Sequence, residues 1–519
     1  MTRRDVLAIA VLVAAFAVAV VIVNPRGNFP LDDDWDFAFG AWTLAKFGVI
    51  QHTPFTVAIA VLQYCWGAAW TLAFGQSFTV LRFSTLFLSL GTVVLLFLAL
   101  RRAGIALNIA LFAALALLFH PLYFWSSFTF MTHVPELFLS IAALAFLVEA
   151  ERRDSNGALI AAATTAFASC LVRQTGILNI IAPLVAAIIF RRSLGARWRK
   201  VAWAYGAAAV AVAVLAASGG FFVENQETAI HLGSEWHWDE LILGPLHYGF
   251  FNVQYAALCF APLVLAALTI RLPRYALIGF GLWFVAIAAR MIALRAPLPY
   301  PTQGHVFVNF TLGPPTLRDT FIYGRPYPFH AGLPWLILLM VVTTALAIFL
   351  AALIARNVGP GLPFLASFAA IYCLCGTAVH MFQRLYFDRY SIDTMWPVAI
   401  LIPLSITRVP KVAFATLAIV AFFAITGTAE YLSWNRARWT AYAWLRSRGV
   451  TLDQMDGGYE INAALAVQRG RKNLGTRGFG VVDDQYILTF DDVPGRRTIA
   501  TFPYRRLLGA DGEVRVLAR

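Results

Sequence analysis

Apolar runs of around 20 residues recur from one end of the chain to the other, separated by short polar joints. Residues 5 to 23 form the first, and a run of that length crosses a ~30 Å hydrocarbon core. Further crossings are predicted at 80–100, 105–119, 133–149, 157–172, 174–190, 201–221, 247–270, 275–294, 332–355, 361–380, 393–407 and 411–429. The pattern predicts an all-α polytopic membrane protein of about thirteen transmembrane helices. No small-residue cleavage site precedes Asn24, so the first run reads as an uncleaved helix. The apolar stretch 55–74 reads as a juxtamembrane helix lying in the outer interface, which suits Trp66 and Trp70.

Charge orients this scaffold. Arg and Lys gather in the joints, at Arg3 and Arg4, Arg101 and Arg102, Arg152 and Arg153, Arg191 to Lys200, Arg271 and Arg274, Arg356, Arg408 and Lys411. By the positive-inside bias these joints are cytoplasmic, as is the amino terminus. An odd number of crossings then puts the carboxyl terminus in the periplasm, given a bacterial inner membrane. The expected division is a transmembrane domain at 1–429 and an extracytoplasmic domain at 430–519. Three outer loops, 24–78, 222–246 and 295–331, exceed an ordinary connection. The tail's Gly457-Gly458, its paired aspartates and its β-rich runs read as a small α/β domain.

Composition removes other classes. Of 519 residues, 60% are hydrophobic and 13% charged, with mean hydropathy +0.71; a soluble chain carries about 25% charged residues. The net charge of +13 lies in membrane-flanking joints, with no basic and aromatic footprint for nucleic acid. The five cysteines all fall in apolar segments and read as small buried helix residues.

The strongest chemical signal is Phe29-Pro30-Leu31-Asp32-Asp33-Asp34-Trp35-Asp36, directly after the first run. Crowded carboxylates raise one another's proton affinity unless a cation, a hydroxyl or a helix N-terminus relieves them. Asp33 or Asp34 could cap the amphipathic helix 35–46, leaving the other for acid–base work; a solvated capping cluster is the plainer alternative. Arg82, Arg173 and Arg389 lie near outer membrane ends, where guanidinium forks suit a lipid phosphate or anchor the interface. All nine histidines map to outer loops or outer span ends. Tyr386, Tyr390, Trp236 and Trp238 could stack on sugar rings or line a lipid groove, or belong to the interfacial belt. His237 with Asp239 and Glu240 fits no metal-ligand spacing.

These features resemble, in order, the GT-C fold glycosyltransferases, which include protein mannosyltransferases and the lipid A aminoarabinose transferase. Asp33-Asp34-Trp35-Asp36-Phe37-Ala38 is similar to the family's acidic motif. Leu81-Arg82-Phe83-Ser84-Thr85, Met131-Thr132-His133-Val134-Pro135, Arg173-Gln174, Gly313-Pro314-Pro315-Thr316-Leu317-Arg318-Asp319, Asp388-Arg389-Tyr390 with Pro397, Gly457-Gly458-Tyr459-Glu460 and Asp483-Asp484-Gln485-Tyr486 come after it. The resemblance implies sugar transfer from a polyprenyl-phosphate donor to an envelope glycan, lipid or protein at the periplasmic face. It implies Asp33 as catalytic base, Asp34 as its acidic neighbour, and arginines on the phosphate. His133 departs from the pattern, standing where the family has a second acidic residue. His133 or nearby Glu136 then takes that role, or it is absent, and a divalent metal stays open.

Two other classes fit a polytopic chain. A transporter or flippase of a lipid-linked or anionic substrate predicts paired mid-span charges or helix breaks, whereas most charges here lie at span ends. A non-catalytic membrane scaffold is the third reading, and His133 is compatible with it.

Overall fold

The computed structural model describes residues 1–219, 238–293, 305–308, 310–317, 332–358, 363–381, 386–470, 481 and 483–519. Trp236, His237, Arg318 and Asp319 lie outside the described residues, as do the side chains of Trp238, Asp239 and Glu240.

The protein is a helical, polytopic membrane protein. Seven described helices are long and apolar enough to cross a bilayer: Arg3–Val23, Phe78–Arg102, His133–Arg153, Arg197–Ala217, Arg274–Ala293, Leu333–Arg356 and Lys411–Ser447. Each begins at or near a predicted crossing. Two more pass as bent pairs, Leu107–Leu118 with Pro121–Ser127 and Leu246–Cys259 with Ala261–Ala267, broken by 64° and 86°. Length and composition thus support seven to nine spans, against the expected thirteen. The other expected crossings are helical but shorter: Asn156–Cys170 has 15 residues and reaches about 22 Å. The 393–407 run divides into Tyr390–Met395 and Val398–Ser405 around Pro397.

The bends have a local cause. Pro121 and Pro262 sit in the first turn of the second helix of each pair, where a missing N–H is harmless but continuation of the preceding helix is not. His120 accepts the Tyr123 N–H at 3.3 Å through Nδ1, capping the new helix. The two breaks meet, with the His120 and Phe260 rings edge to face at 4.6 Å.

The last helix, Lys411–Ser447, has 37 residues. At 1.5 Å per residue it is about 55 Å long, well beyond one hydrocarbon core. Its apolar first half ends near Glu430, and the helix continues unbroken past the expected domain boundary at 429/430. A small antiparallel hairpin, β1 (Phe307–Val308) and β2 (Thr311–Leu312), packs nearby, Phe307 against Phe423 of this helix. Beyond the helix lie β3 (Met455–Asp456), helix Tyr459–Gln468, β4 (Tyr486–Thr489), β5 (Arg497–Tyr504) and β6 (Gly512–Ala518). The four strands form one sheet in the order β3-β4-β6-β5, parallel only between β3 and β4. The predicted α/β character of the tail is therefore present, and the sheet lies on the polar half of the long helix. Trp434 meets Phe490 edge-on at 5.1 Å, Trp444 meets Phe502 at 5.9 Å, and Arg506 pairs with Glu430 at 3.0 Å.

The 55–74 stretch forms a shorter helix, Val61–Phe74, entered through Ala60 at φ 54°. Trp66 and Trp70 pack on each other and on Phe87 of Phe78–Arg102.

Trp434 is fully buried between Tyr431, Phe490 and Arg438. Trp434→Ala is expected to cost about 3–5 kcal/mol and to release the sheet from the helix. Limited proteolysis in membranes measures this, and wild-type protection of residues 455–519 would contradict the docking.

Candidate active site

The acidic loop is built by its own backbone and by one buried arginine. Arg82, in the first turns of Phe78–Arg102, donates through Nη1 to the Pro25 and Gly27 carbonyls at 2.6 and 3.2 Å. Its Nη2 donates to the Phe29 carbonyl at 3.0 Å. Its guanidinium lies over the Phe29 ring, 5.2 Å from the centroid, and is fully buried. Arg82, a candidate phosphate ligand in the sequence, is thus committed to shaping the loop.

The four aspartates have separate fates. Asp33 occupies the N-cap position of helix Asp34–Phe47, but its carboxylate makes no cap bond. Asp34 turns back to accept the Leu31 N–H at 2.6 Å. The expected side-chain cap is absent because both carboxylates are engaged elsewhere, Asp34 by the Leu31 N–H and Asp33 by Arg389 and Tyr459. Asp36 accepts the hydroxyls of Thr53 and Thr56 at 2.6 and 2.7 Å, tying the helix to the following loop. Asp32 adopts φ 53°, a left-handed conformation that costs a non-glycine residue energy and clusters at functional sites. Of the four, only Asp33 reaches solvent, with 30% of its side chain exposed.

Arg389 organises the centre. Its Nη1 donates to Asp32 Oδ2 at 2.5 Å and its Nη2 to Asp33 Oδ2 at 2.8 Å, so one planar fork grips two adjacent carboxylates. Nη1 also lies 2.8 Å from His305 Nδ1. A guanidinium only donates, so Nδ1 accepts and the imidazole proton sits on Nε2, 3.8 Å from Asp32 Oδ1. Arg389 is itself held by its neighbour. Asp388 accepts the N–H groups of Val306, Phe307 and Arg389, clamping the hairpin to this corner.

The tail supplies the remaining wall. Tyr459 Oη donates to Asp33 Oδ1 at 2.6 Å. Glu460 Oε1 accepts the Asp32 N–H at 3.1 Å, while Oε2 accepts Thr316 Oγ1 at 2.8 Å and Arg438 Nη1 at 2.7 Å. Gly458, at φ 91°, permits this approach: a Cβ there would lie 2.7 Å from the Thr316 carbonyl oxygen.

Burial, then the neighbouring Asp33 charge, raises Asp32 well above the ordinary carboxylate range. Burial also works on Asp33, but Arg389 and the Tyr459 hydroxyl outweigh it and hold Asp33 below that range. The pair therefore divides its charge, with the accessible member ionised. Burial pushes Asp34 up to about 8 and Asp36 up to about 7. Burial and then Arg389 push His305 down to about 3, matching the neutral tautomer. Burial and then Asp33 keep Tyr459 a neutral donor.

A second buried cluster adjoins the first through Tyr390. The Tyr390 ring lies 4.9 Å from the Arg173 guanidinium, 6.0 Å from that of Arg389 and 6.1 Å from the His133 ring. His133 Nδ1 lies 2.9 and 3.0 Å from the two Asp393 oxygens, and Arg173 pairs with Asp393 at 2.9 Å. Arg173 also donates to Thr132. His133 is thus paired with a carboxylate, Asp393, that Arg173 shares. Glu136 accepts from Ser140 at 2.8 Å and Asn179 at 3.4 Å, deeper in the same polar layer. Tyr386 stacks on Tyr248 and meets Tyr390 edge-on. Sequence reasoning missed Asp32, His305 and Asp393 as participants. Asp393 carried a signal, four positions after Arg389 and so on the same helical face. Among the described residues no group of three or more His, Cys, Asp and Glu side chains is disposed to hold a metal.

No known protein-family model matches the sequence, and no curated protein does. The chain is similar to two crystal structures of ArnT from Cupriavidus metallidurans. The apo state matches at 14% identity over 98% of each chain with TM-score 0.40. The form bound to undecaprenyl phosphate matches at 15% identity over 99% of this chain and 97% of that one, with TM-score 0.41. A likeness that distant assigns no role to any residue, and the chemistry of the site is set by its own side chains.

The raised Asp34 carboxyl has a consequence for stability. Its folded form holds a proton that the unfolded chain has lost above pH ~4, so this contribution falls as pH rises from there toward about 8. Thermal unfolding in detergent is expected to show wild type losing stability between pH 5 and 8. Asp34→Asn, which keeps the acceptor for Leu31, is expected to flatten that fall; an unchanged slope would show that Asp34 is ionised in the fold.

Proposed function

We propose that this chain is an integral-membrane glycosyltransferase that moves a sugar from a polyprenyl-phosphate donor to an envelope acceptor hydroxyl, with Asp33 as general base. One observation carries the reading: Arg389 grips Asp32 and Asp33 together, leaving Asp33 as the one ionised, accessible carboxylate of the loop.

The chemistry asks little more. The acceptor oxygen attacks the anomeric carbon while the bond to the phosphate oxygen breaks. The electron pair leaves on the phosphate and the acceptor proton passes to Asp33. A phosphate is an adequate leaving group, so a base and nearby cations suffice. Arg389 serves both ends. A phosphate drawn to its guanidinium competes with Asp33 for the same fork, and weakening that contact raises the proton affinity of Asp33 at the moment a proton must be taken. Tyr459 keeps the carboxylate aimed through its hydroxyl.

The second cluster supplies the other cation. Arg173, oriented by Asp393 and Thr132, faces the same Tyr390 ring as Arg389, and the two form the phosphate pair of this proposal. His133 then acts as a positioning partner of Asp393. Tyr386 and Tyr390 offer aromatic faces to the sugar or the prenyl chain. Asp34 maintains the loop, and Glu136 belongs to the packing beneath it. The positive-inside bias favours placing this surface, and the tail after the long last helix, on the periplasmic side.

Asp33→Asn removes the base without changing shape. Transfer of labelled sugar from polyprenyl-phosphate donors into membrane extracts is expected to fall by about 10²–10⁴-fold, with Asp34→Asn within tenfold of wild type. Equal transfer by Asp33→Asn and wild type would remove Asp33 from the reaction.

Arg389 holds the Asp33 carboxyl low, so its loss raises that pKa. The acid limb of kcat/KM is expected below the ordinary carboxylate range in wild type, and displaced toward neutral pH in Arg389→Gln, with a higher KM for donor. An undisplaced limb in a folded variant would separate Arg389 from the base.

A further inference from the structure

A cavity of about 680 Å³ that shares no lining residue with this site lies at the level where the first helix ends. Its size falls within the ~300–1,000 Å³ of small-molecule sites. One wall is apolar, formed by Val21 and Ile22 of helix Arg3–Val23, which are 77% and 46% exposed. The lining also carries polar and basic groups, Arg436 and Thr440 from the long last helix and Arg505 directly after β5. Among the described residues its lining contains no carboxylate.

Position decides what such a cavity meets. Helix Arg3–Val23 is 21 residues long, about 32 Å, so its last turn stands at one bilayer surface. The cavity therefore opens where acyl chains give way to headgroups, whichever way the protein is oriented. Arg436 donates to the carbonyls of Asn24 and Arg26, which fixes its guanidinium beside the helix exit with no acidic partner among the described residues. Arg505 is exposed with no hydrogen bond or ion pair among the described residues. The nearby acid, Glu430, is already paired with Arg506. In the turn after β5, Leu507 and Leu508 are 53% and 56% exposed, beside the same opening.

We propose that this cavity seats one anionic phospholipid of the surrounding leaflet, its phosphate between Arg436 and Arg505 and one acyl chain along Val21 and Ile22. Charge complementarity selects the headgroup, and the exposed apolar wall selects a membrane lipid over a soluble anion. Leu507 and Leu508 enter the same leaflet beside it. The bound lipid joins the first helix, the last helix and the sheet, three elements otherwise distant in sequence.

Native mass spectrometry of the full chain in detergent, titrated with palmitoyl-oleoyl phosphatidylglycerol or phosphatidylcholine, tests this. One phosphatidylglycerol is expected to be retained in preference to phosphatidylcholine. Each of Arg505→Gln and Arg436→Gln is expected to weaken retention roughly fivefold, a surface arginine being worth ~1 kcal/mol toward an anionic lipid. Arg505 makes no hydrogen bond or ion pair among the described residues, so its variant keeps the test valid if Arg436→Gln unfolds. Equal retention of the two lipids, or undiminished retention in Arg505→Gln, overturns the proposal. So does full competition by water-soluble glycerophosphoglycerol, which would show that the apolar wall plays no part. A Leu507→Ser variant that changes oligomeric state without changing lipid retention would assign the surface to a second copy of the chain, and also overturns it.

Discussion

Everything around the acidic loop depends on one cation placed between two carboxylates. Asp32 is buried and Asp33 mostly so, and without Arg389 the Asp33 charge would sit beside a second carboxyl in a medium that screens poorly. Removing one partner of such a buried pair typically costs about 3–5 kcal/mol. The surroundings are arranged to keep that cation in place. Asp388 accepts its backbone N–H together with those of Val306 and Phe307, His305 accepts a further N–H from Nη1, and Tyr459 occupies the oxygen of Asp33 that the fork leaves free. The left-handed backbone of Asp32 fits the same account. The strain is tolerated because the chain there is held from four directions, by Arg389, Glu460, Asp34 and the carbonyl grip of Arg82.

The arrangement also explains how neighbours of identical chemistry come to differ. Three consecutive aspartates share one loop, yet one is kept neutral by burial, one is kept charged by a cation, and one turns inward to close the backbone. A single residue type thus provides three different groups. The adjoining His133–Asp393–Arg173 cluster repeats the principle in the membrane layer, where a carboxylate neutralises a cation and orients an imidazole. Tyr390 lies between the two clusters, so a movement of either guanidinium is felt by the other across one ring.

Much of this was legible in the sequence, and the boundary has physical reasons. Helix positions were readable because an apolar run is a local property, and the described residues of the expected crossings are largely helical. The number of full spans was not, since the bends at Pro121 and Pro262, the break at Pro397 and helices too short to cross alone depend on how neighbouring helices pack. The acidic loop announced itself by charge density alone. Which aspartate remains open did not, because the answer lies in Arg389, more than 350 residues downstream. Arg82 shows the same limit from the other side: its place near a membrane end suggested a ligand role, and only its three carbonyl partners reveal a structural one. His133 looked like a departure because its carboxylate partner is 260 positions away.

The distances in sequence have a consequence for how the protein is made. Asp33 and Arg389 are 356 positions apart, and Asp32 and Glu460 are 428 apart. At ~5–20 residues per second, the aspartates leave the ribosome roughly 20–70 s before their cation exists, and longer before Tyr459 and Glu460 are made. Throughout that interval the loop is an uncompensated acidic segment on a partly inserted chain. The centre is therefore assembled late: it closes only once Tyr459 and Glu460 have been translated and folded back onto the acidic loop.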